Sequence, residues 1–351
     1  MFFKQFTGDD IYPADKNVLY ETIPITGTLV SGTYGTYPND TNVLKYTSSH
    51  GLFESVYDYF HLSSSANHIF DLTFGLRSGS LSPAPVTQSA QKYRIYQEMA
   101  QTLLGFDVNG NVKNFSLDGG TTNSDKMLFI NLSRLLTKDG VKIGSFTASM
   151  GTASWATPFA GTLAQLSDNS TGLTVDNVNI DSPAGQYWYV YTGSAYAVSD
   201  RVGMIFYQQG VLALDLGNSR FNSLAYSSSV ANPAGGYLSG SNLFSTGTIT
   251  EISDGFRRYL NNLQFQNSIQ INSTIYTCNF GNNEFNYSSN PTYTTGSAIR
   301  VKQSPLDNST TYVTTVGLYD SNQNLTAVAK LSRPLKKTQK DSFIVRVRLD
   351  Y

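Results

Sequence analysis

The sequence has few of the residues that most often bind metals or act as nucleophiles. Only one cysteine and three histidines occur in 351 residues. A single cysteine excludes an intramolecular disulfide, and the alternating pattern around Cys278 predicts a small buried hydrophobic residue rather than a catalytic thiol. His50, His61 and His68 are not spaced as zinc ligands usually are. We therefore expect neither a metal site nor a catalytic residue among them.

Charged residues are also scarce, at 14% of the chain against about 25% in an average globular protein. The 24 lysines and arginines and the 25 aspartates and glutamates give a formal net charge of -1. Non-specific binding to nucleic acid needs a basic field, so we expect no nucleic-acid partner. A surface rich in Asn, Ser and Tyr but poor in charge favours contact with neighbouring protein subunits.

Long apolar runs are absent as well. No segment approaches the roughly 20 apolar residues of a membrane-spanning helix, and residues 1–10 lack the apolar core of a signal peptide. We therefore expect synthesis in the cytoplasm and no membrane partner. The sequence contains no Gly-x-Ser-x-Gly elbow and no phosphate-binding glycine-rich loop with a lysine. These patterns predict no cofactor and no enzyme activity.

Glycine, tyrosine and phenylalanine, by contrast, are abundant, with 29, 23 and 20 residues. Alternating apolar residues between turn signals predict strands at 69–76, 127–132, 141–150, 186–193, 202–207, 211–216, 312–319, 325–331 and 343–351. Helical spacing predicts helices at 52–61, at 89–104 with Ser89 as its cap, and after a Ser253 cap. Pro334 is expected to end its strand, and Lys336, Lys337 and Lys340 to follow in a solvated connector. The predicted fold is α+β and mostly β, with antiparallel, β-sandwich-like sheets and a few short helices.

Shifts in composition divide the chain into four segments. We expect an N-terminal arm with strands at 1–46, a mixed α+β part at 47–150, a loop-rich β insertion at 151–250 and a C-terminal β part at 251–351. The arm could drape over a neighbouring subunit or form an edge strand on its own domain, and the sequence leaves both interpretations open.

The aromatic strand at 186–193 provides the candidate binding residues Tyr187, Trp188, Tyr189 and Tyr191. Strand alternation puts the three tyrosines on one face and Trp188 on the other. Aromatic rings can stack on sugars, but one face of such a strand is usually core. The sequence therefore leaves open a carbohydrate platform, a subunit interface and ordinary core packing.

Two further kinds of site are weaker alternatives. Asp71, Glu98, Asp215 and Glu284 could include a carboxylate pair for glycoside cleavage, although the sequence cannot place them relative to one another. The oxygen-bearing residues of 176–181 could bind calcium, but the turn glycine and distal glutamate of a calcium loop are missing. The default interpretation of 176–181 is the polar face of a strand.

The C-terminal stretch carries a resemblance to a known class of proteins. It reads Asn-Glu-Phe-Asn-Tyr-Ser-Ser-Asn-Pro-Thr-Tyr (283–293), Tyr-Val-Thr-Thr-Val-Gly-Leu-Tyr-Asp (312–320) and Leu-Thr-Ala-Val-Ala-Lys-Leu-Ser-Arg-Pro-Leu (325–335). These runs resemble the C-terminal part of virion structural proteins from tailed bacteriophages of the contractile-tailed kind. The resemblance covers about a fifth of the chain, and residues 201–214 echo it more weakly.

The resemblance implies a structural subunit of a virion, made in the host cytoplasm, with other phage structural proteins as partners in a homo-oligomer or multi-subunit assembly. It implies no catalytic residues. A mixed body with long loops favours a tail or baseplate component. The alternatives are a neck component, a host-receptor or carbohydrate-binding spike and, more remotely, a glycan-cleaving enzyme.

Overall fold

The computed structural model describes residues 3–14, 16–26, 40–46, 52–77, 87–168, 180–193, 196–228, 237–286, 294–295, 298–299 and 310–351. Within them, antiparallel strands predominate over a few short helices, which confirms the predicted mostly β, α+β fold class. His50, most of the possible calcium loop (176–179) and residues 287–293 of the resembling stretch lie outside the described residues.

The strands up to the middle of the chain are β1 (Ile11–Pro13), β2 (Asn17–Thr26), β3 (Val43–Lys45), β4 (Glu54–Tyr57), β5 (His68–Leu76), β6 (Lys126–Leu132), β7 (Gly140–Val141), β8 (Thr147–Met150), β9 (Ala164–Ser167), β10 (Asp181–Ser182) and β11 (Gly185–Thr192). The later strands are β12 (Arg201–Phe206), β13 (Val211–Asp215), β14 (Ala225–Tyr226), β15 (Leu238–Ser239), β16 (Leu260–Ile271), β17 (Ser273–Phe280), β18 (Thr294–Thr295), β19 (Ala298–Ile299), β20 (Thr310–Tyr319), β21 (Leu325–Thr338) and β22 (Phe343–Asp350). The helices are α1 (Thr87–Leu103), α2 (Arg134–Thr137), α3 (Gly240–Thr246) and α4 (Ile249–Tyr259).

The chain forms two compact units, and the four predicted segments fall across them. Unit 1 combines Met1–Val18 with Gln270–Tyr351, and unit 2 is the single stretch Leu19–Ile269. The predicted N-terminal segment is therefore shared between the units. Residues 151–250, predicted as a loop-rich insertion, supply β9 and β11–β13 to the middle of the large sheet, so they are an integral part of unit 2.

Unit 2 is built on one sheet whose strands follow the order β2-β16-β8-β9-β11-β12-β13-β6-β5-β4-β3. Its middle strands read as nearly continuous apolar runs, typical of strands covered on both faces, and β6 and β12 are buried along most of their length. Helix α1 packs closely on β5 at Gly75, where a Cβ atom would lie 2.8 Å from the backbone nitrogen of Tyr96. Only glycine permits this approach.

Two helix predictions need correction at their starts. Helix α1 is confirmed, with Gly105 at φ +74° just beyond its end, but it begins two residues before the predicted cap Ser89. Helix α4 is capped by Thr248 rather than by Ser253: the Thr248 hydroxyl accepts from the Glu251 amide at 3.1 Å, and the Glu251 carboxylate accepts from the Thr248 amide at 2.7 Å. Ser253 is completely buried inside the helix.

The predicted helix at 52–61 is wrong, because the segment forms β4 instead. Strand β4 pairs with β3 on one side and with β5 on the other. The aromatic spacing fits a helix, but only strand geometry lets this segment share hydrogen bonds with two neighbours and bury Val56 completely. The predicted strand 141–150 is likewise two short strands, β7 and β8, separated by a turn.

Unit 1 contains a three-stranded sheet, β1-β17-β22, and the hairpin β20-β21, besides the short pair β18-β19. The three-stranded sheet and the hairpin β20-β21 pack through a small core of Cys278, Val316, Leu318 and Val347. The buried position of Cys278 and the alternating burial along β22 confirm the predicted buried cysteine and the predicted strand at 343–351. Burial raises the pKa of the Cys278 thiol, as expected for a packed side chain rather than a reactive one.

Two predictions about strand β21 are wrong. The strand continues through Pro334 to Thr338, because the register shifts between the pairs Val313–Leu335 and Thr315–Lys330 and leaves proline in a bulge where no ladder bond is needed. Lys337 does not lie in a solvated connector but is completely buried.

Candidate functional site

The tyrosine-rich strand β11 lies inside the large sheet between β9 and β12. Tyr189 and Tyr191 are only 6% and 3% exposed, whereas Tyr187 and Trp188 are half-buried. The structure brings Tyr187 and Tyr189 together, with ring centroids 6.4 Å apart, at the wall of a cleft. Trp188 and Tyr191 are not among the residues that line this cleft.

The ring faces of both cleft tyrosines are already in contact with the protein. The guanidinium of Arg201 lies 3.8 Å from the Tyr189 ring centroid, and Phe206 stacks on Tyr187 with centroids 5.0 Å apart. Burial raises the pKa of Tyr187 to about 12, so its hydroxyl keeps its proton at neutral pH. One face of each ring is therefore already covered by the protein, whereas the hydroxyl groups remain for a ligand.

The cleft has a volume of about 500 Å³ and is lined by two polar turns as well as by β11 and β12. Its polar residues beyond the tyrosines include Asp107, Lys113, Asn114, Ser116 and Asn123. Sequence reasoning missed these residues. An Asn-Gly pair is typical of a tight turn, and Asn109-Gly110 lies in one that the Phe106–Val112 bridge closes. Such a signal does not show which strand the turn lies against.

Two aspartates hold the turns in shape. The Asp107 carboxylate accepts from the amides of Asn109 and Asn111, both at 2.8 Å. The Asp118 carboxylate accepts from the Thr122 amide at 2.8 Å and from the Ser116 hydroxyl at 2.7 Å. These hydrogen bonds lower the pKa of both carboxyl groups. In both turns of the cleft wall, the aspartate carboxylate is hydrogen-bonded, and these bonds fix the backbone conformation of the turn.

Helix α1 ties the second turn to the core through Tyr96. The Tyr96 hydroxyl donates to the Ser124 carbonyl and accepts from the Phe115 amide, each at 3.0 Å. Tyr96 is completely buried, and burial raises the pKa of its hydroxyl to about 12. Both ends of residues 115–124 are therefore fixed by one side chain.

A groove in unit 1 is a second candidate surface. It has a volume of about 700 Å³ and is lined by nine consecutive residues of β20, Thr311–Tyr319. In the part of the chain that the structure describes, strand β20 pairs with β21 and with no other strand. Residues 3–6 also line the groove: Phe3 meets Tyr319 edge-on with centroids 4.9 Å apart, and the Lys4 ammonium lies 2.6 Å from the Glu284 carboxylate.

A buried charged cluster is the third feature, and it lies in unit 2. The Arg257 guanidinium contacts Asp40 at 2.8 Å, Glu54 at 3.4 Å and the Asp254 carboxylate. The Lys45 ammonium is 2.8 Å from both oxygens of Asp254. The cluster links β3, β4 and α4, and its burial indicates a structural role.

Three of the four acids considered for glycoside cleavage already have partners among the described residues. Asp71 accepts from the Ser55 hydroxyl at 2.6 Å and lies 2.7 Å from His68 Nε2. Asp215 accepts from the Gly217 amide at 2.9 Å, and Glu284 pairs with Lys4. Each of these three carboxyl groups is thus already bonded within the fold.

In the described part of the chain, no group of three or more His, Cys, Asp or Glu side chains could hold a metal ion. No helix there is both long and apolar enough to span a membrane. Comparison of the chain with known proteins finds no matching family model, no matching curated protein and no matching solved structure.

Proposed function

We propose that this chain is a structural subunit of a tailed-bacteriophage virion and acts by binding neighbouring subunits. The observation that carries the proposal is the second edge of β20, which pairs with no strand among the described residues and runs beside a groove from Thr311 to Leu318. An open strand edge presents backbone N–H and C=O groups that can pair with an added strand.

The side chains beside this edge suit a protein partner. Tyr312 is 62% exposed although it is a large aromatic residue, and it lines the groove together with Thr314 and Gly317. Exposed aromatic residues next to small or uncharged ones are typical of the centres of protein interfaces. An added strand would gain ladder bonds along β20 and bury Tyr312.

The resemblance to phage structural proteins falls on the same strands. Residues 312–320 cover most of β20, and residues 325–335 cover most of β21. The low charge content of the chain also favours an assembled state, because a surface with few charges is suited to contact with other subunits. A stable contact needs more than about 1,000 Å² of buried surface, so we expect further surfaces to contribute.

Within the virion we favour the tail or baseplate, with the neck as the alternative position. Immunogold electron microscopy of particles that incorporate a tagged chain tests this. Label at the distal end of the tail supports a baseplate subunit, and label at the head–tail junction supports the neck. Particles without label at any position would contradict the proposal.

Blocking the β20 edge tests the assembly mechanism itself. The double variant Tyr312→Lys/Thr314→Lys places two charges beside the open edge, which is how natural proteins prevent strand addition. We expect its incorporation into particles to fall at least about tenfold, which corresponds to about 1.4 kcal/mol of binding free energy. The control Val328→Lys changes a residue that is 58% exposed on β21 and outside the groove, and it should incorporate normally.

A further inference from the structure

The cleft of unit 2 places uncommitted polar side chains around an apolar lining. Its partly or fully buried apolar residues are Leu104, Val112, Ile180 and Met204. Lys113, Asn114 and Asn123 are exposed polar residues at its wall. A concave site with apolar lining and a few convergent polar groups is the usual form of a small-ligand site.

Five polar side chains of the cleft have no internal partner. Among the described residues, no hydrogen bond or ion pair reaches the side chains of Lys113, Asn114, Asn123, Tyr187 or Tyr189. For the three exposed residues, water is a sufficient partner. Tyr189 is only 6% exposed as a whole residue, but its hydroxyl is not among the buried polar atoms without a partner, so water reaches this group as well. A ligand hydroxyl in the cleft would take the place of that water.

The cleft is also held ready for a ligand before binding. In the two polar turns, the aspartate carboxylates are hydrogen-bonded within the turn. Tyr96 fixes residues 115–124, and the Arg201 guanidinium holds Tyr189 in place from one face of its ring. The Arg201 guanidinium in turn donates to the Leu117 carbonyl at 2.8 Å, which connects the second turn to the tyrosine. Binding would therefore order few additional groups, and this lowers its entropic cost.

We propose that this cleft binds a saccharide. Amide and phenol groups can donate to and accept from the hydroxyls of a sugar, and the apolar residues fit its C–H surfaces. The tyrosines contribute through their hydroxyl edges, since Arg201 and Phe206 already contact their rings. A phosphate-rich ligand would need several free cations, whereas Lys113 is the one uncommitted charge in the described lining.

The single ammonium group predicts a preference among saccharides. The Asp107 carboxylate is occupied by its own turn, so the free charge that a ligand meets is that of Lys113. Sugars that carry a carboxylate should bind more tightly than their neutral counterparts. The variant Lys113→Met should remove this preference while neutral sugars still bind.

The test uses the purified full-length chain on an array of bacterial-surface oligosaccharides, followed by isothermal titration with the strongest probe. We expect Asn114→Ala and Tyr187→Phe each to weaken binding about 3- to 10-fold, as expected for one lost hydrogen bond. Tyr187→Phe keeps the ring that stacks on Phe206, so its fold should be intact. Asn109→Ala is the matched control, because it alters an exposed residue of the same turn that does not line the cleft.

Two results would overturn the proposal. One is the absence of binding by every array saccharide and by glucuronic acid, glucose and N-acetylglucosamine titrated to about 10 mM, a range that covers weak single-sugar affinities. The other is binding that Asn114→Ala and Tyr187→Phe leave unchanged, which would place the saccharide elsewhere. The assembly proposal concerns the β20 edge of unit 1, so either result leaves it standing.

Discussion

At the scale of single residues, the buried cluster around Arg257 combines three carboxyl groups with two cations. Burial, and after it the nearby Asp254 carboxylate, raises the pKa of Glu54 well above its ordinary 4.5. A protonated Glu54 leaves Asp40 and Asp254 balanced by Lys45 and Arg257. The neutral acid is therefore the form that suits the folded protein, because an extra buried charge would have no counterion.

Replacing Glu54 with glutamine should flatten the pH dependence of stability. Glu54 holds its proton in the folded protein at pH values at which the unfolded chain has lost it. Its contribution to stability is therefore complete below about pH 4.5 and is lost as the pH rises through the folded pKa. Glutamine imitates the neutral acid, so Glu54→Gln should raise the free energy of unfolding at pH 8 by on the order of 1 kcal/mol.

Urea unfolding of both proteins at pH 5 and pH 8 measures this effect. Burial also raises the pKa of Asp168, to about 6, but Asp168 is present in both proteins and its contribution cancels in the difference. A variant that is less stable than the parent at pH 8 would show that Glu54 is ionised and stabilising in the fold.

Lys337 should be essential to the stability of unit 1. Its buried ammonium donates to the carbonyls of Asn282 and Asp341, both at 3.2 Å, and to the Asn286 side-chain oxygen at 3.0 Å. Lys337→Met would remove the donor to the Asp341 carbonyl and to the Asn286 side-chain oxygen, whereas the Asn282 carbonyl would still accept from the Asn286 amide at 2.8 Å, and we expect a cost of about 2–4 kcal/mol. Lys336→Met, on the exposed neighbour, should cost less than about 0.5 kcal/mol. Chemical unfolding followed by circular dichroism compares the two, and equal losses would contradict this role.

At the scale of elements, the sequence predicts those whose own residue pattern is clear and misses features that are decided by pairing with another strand. Helix α1 and the strands β12 and β13 have clear periodicity, and all three are confirmed. The spacing of residues 52–61 predicts a helix, whereas the segment forms β4, because pairing with β3 and β5, the strands before and after it in the chain, leaves no mark on its own spacing. The continuation of β21 through Pro334 depends in the same way on a register shift that only the partner strand defines.

The candidate site, likewise, is only partly predictable from the sequence. Alternation correctly places Tyr187 and Tyr189 on one face of β11. Their covered ring faces come from Arg201 and Phe206 on the next strand, and the cleft comes from turns more than sixty residues earlier in the chain. Sequence patterns indicate which residues share a face, but the residues opposite that face follow from the sheet order.

The capping box of α4 should be worth a measurable part of the stability of unit 2. Thr248→Ala removes the side-chain oxygen that accepts from the Glu251 amide, and we expect a loss of about 1 kcal/mol. Thr248→Ser keeps that oxygen and should remain close to the parent protein. Differential scanning calorimetry of the three proteins decides this, and equal melting temperatures for the alanine and serine variants would contradict it.

At the scale of the whole molecule, the two units are built from the chain in different ways. Unit 2 is one continuous stretch with a large apolar core. Unit 1 joins both ends of the chain, since β1 pairs with β17, and the described part of its core contains four buried residues. A small core gives little stability, so unit 1 depends on having all of its strands present.

This difference predicts how fragments of the chain behave. The fragment 17–271 keeps β2 and β16 whole and contains the entire large sheet, so we expect it to fold and unfold cooperatively by circular dichroism and to give dispersed NMR spectra.

The fragment 272–351 lacks β1, which leaves an edge of β17 without its ladder bonds and removes Phe6 from the small core. We expect it to be at least about 2 kcal/mol less stable than unit 1 in the full chain, or unfolded. Adding a peptide of residues 1–18 should restore its structure if the pairing of β1 with β17 is what the fragment lacks, whereas a scrambled peptide should not. A well-folded fragment 272–351 that gains nothing from the peptide would show that the hairpin and β22 are sufficient on their own.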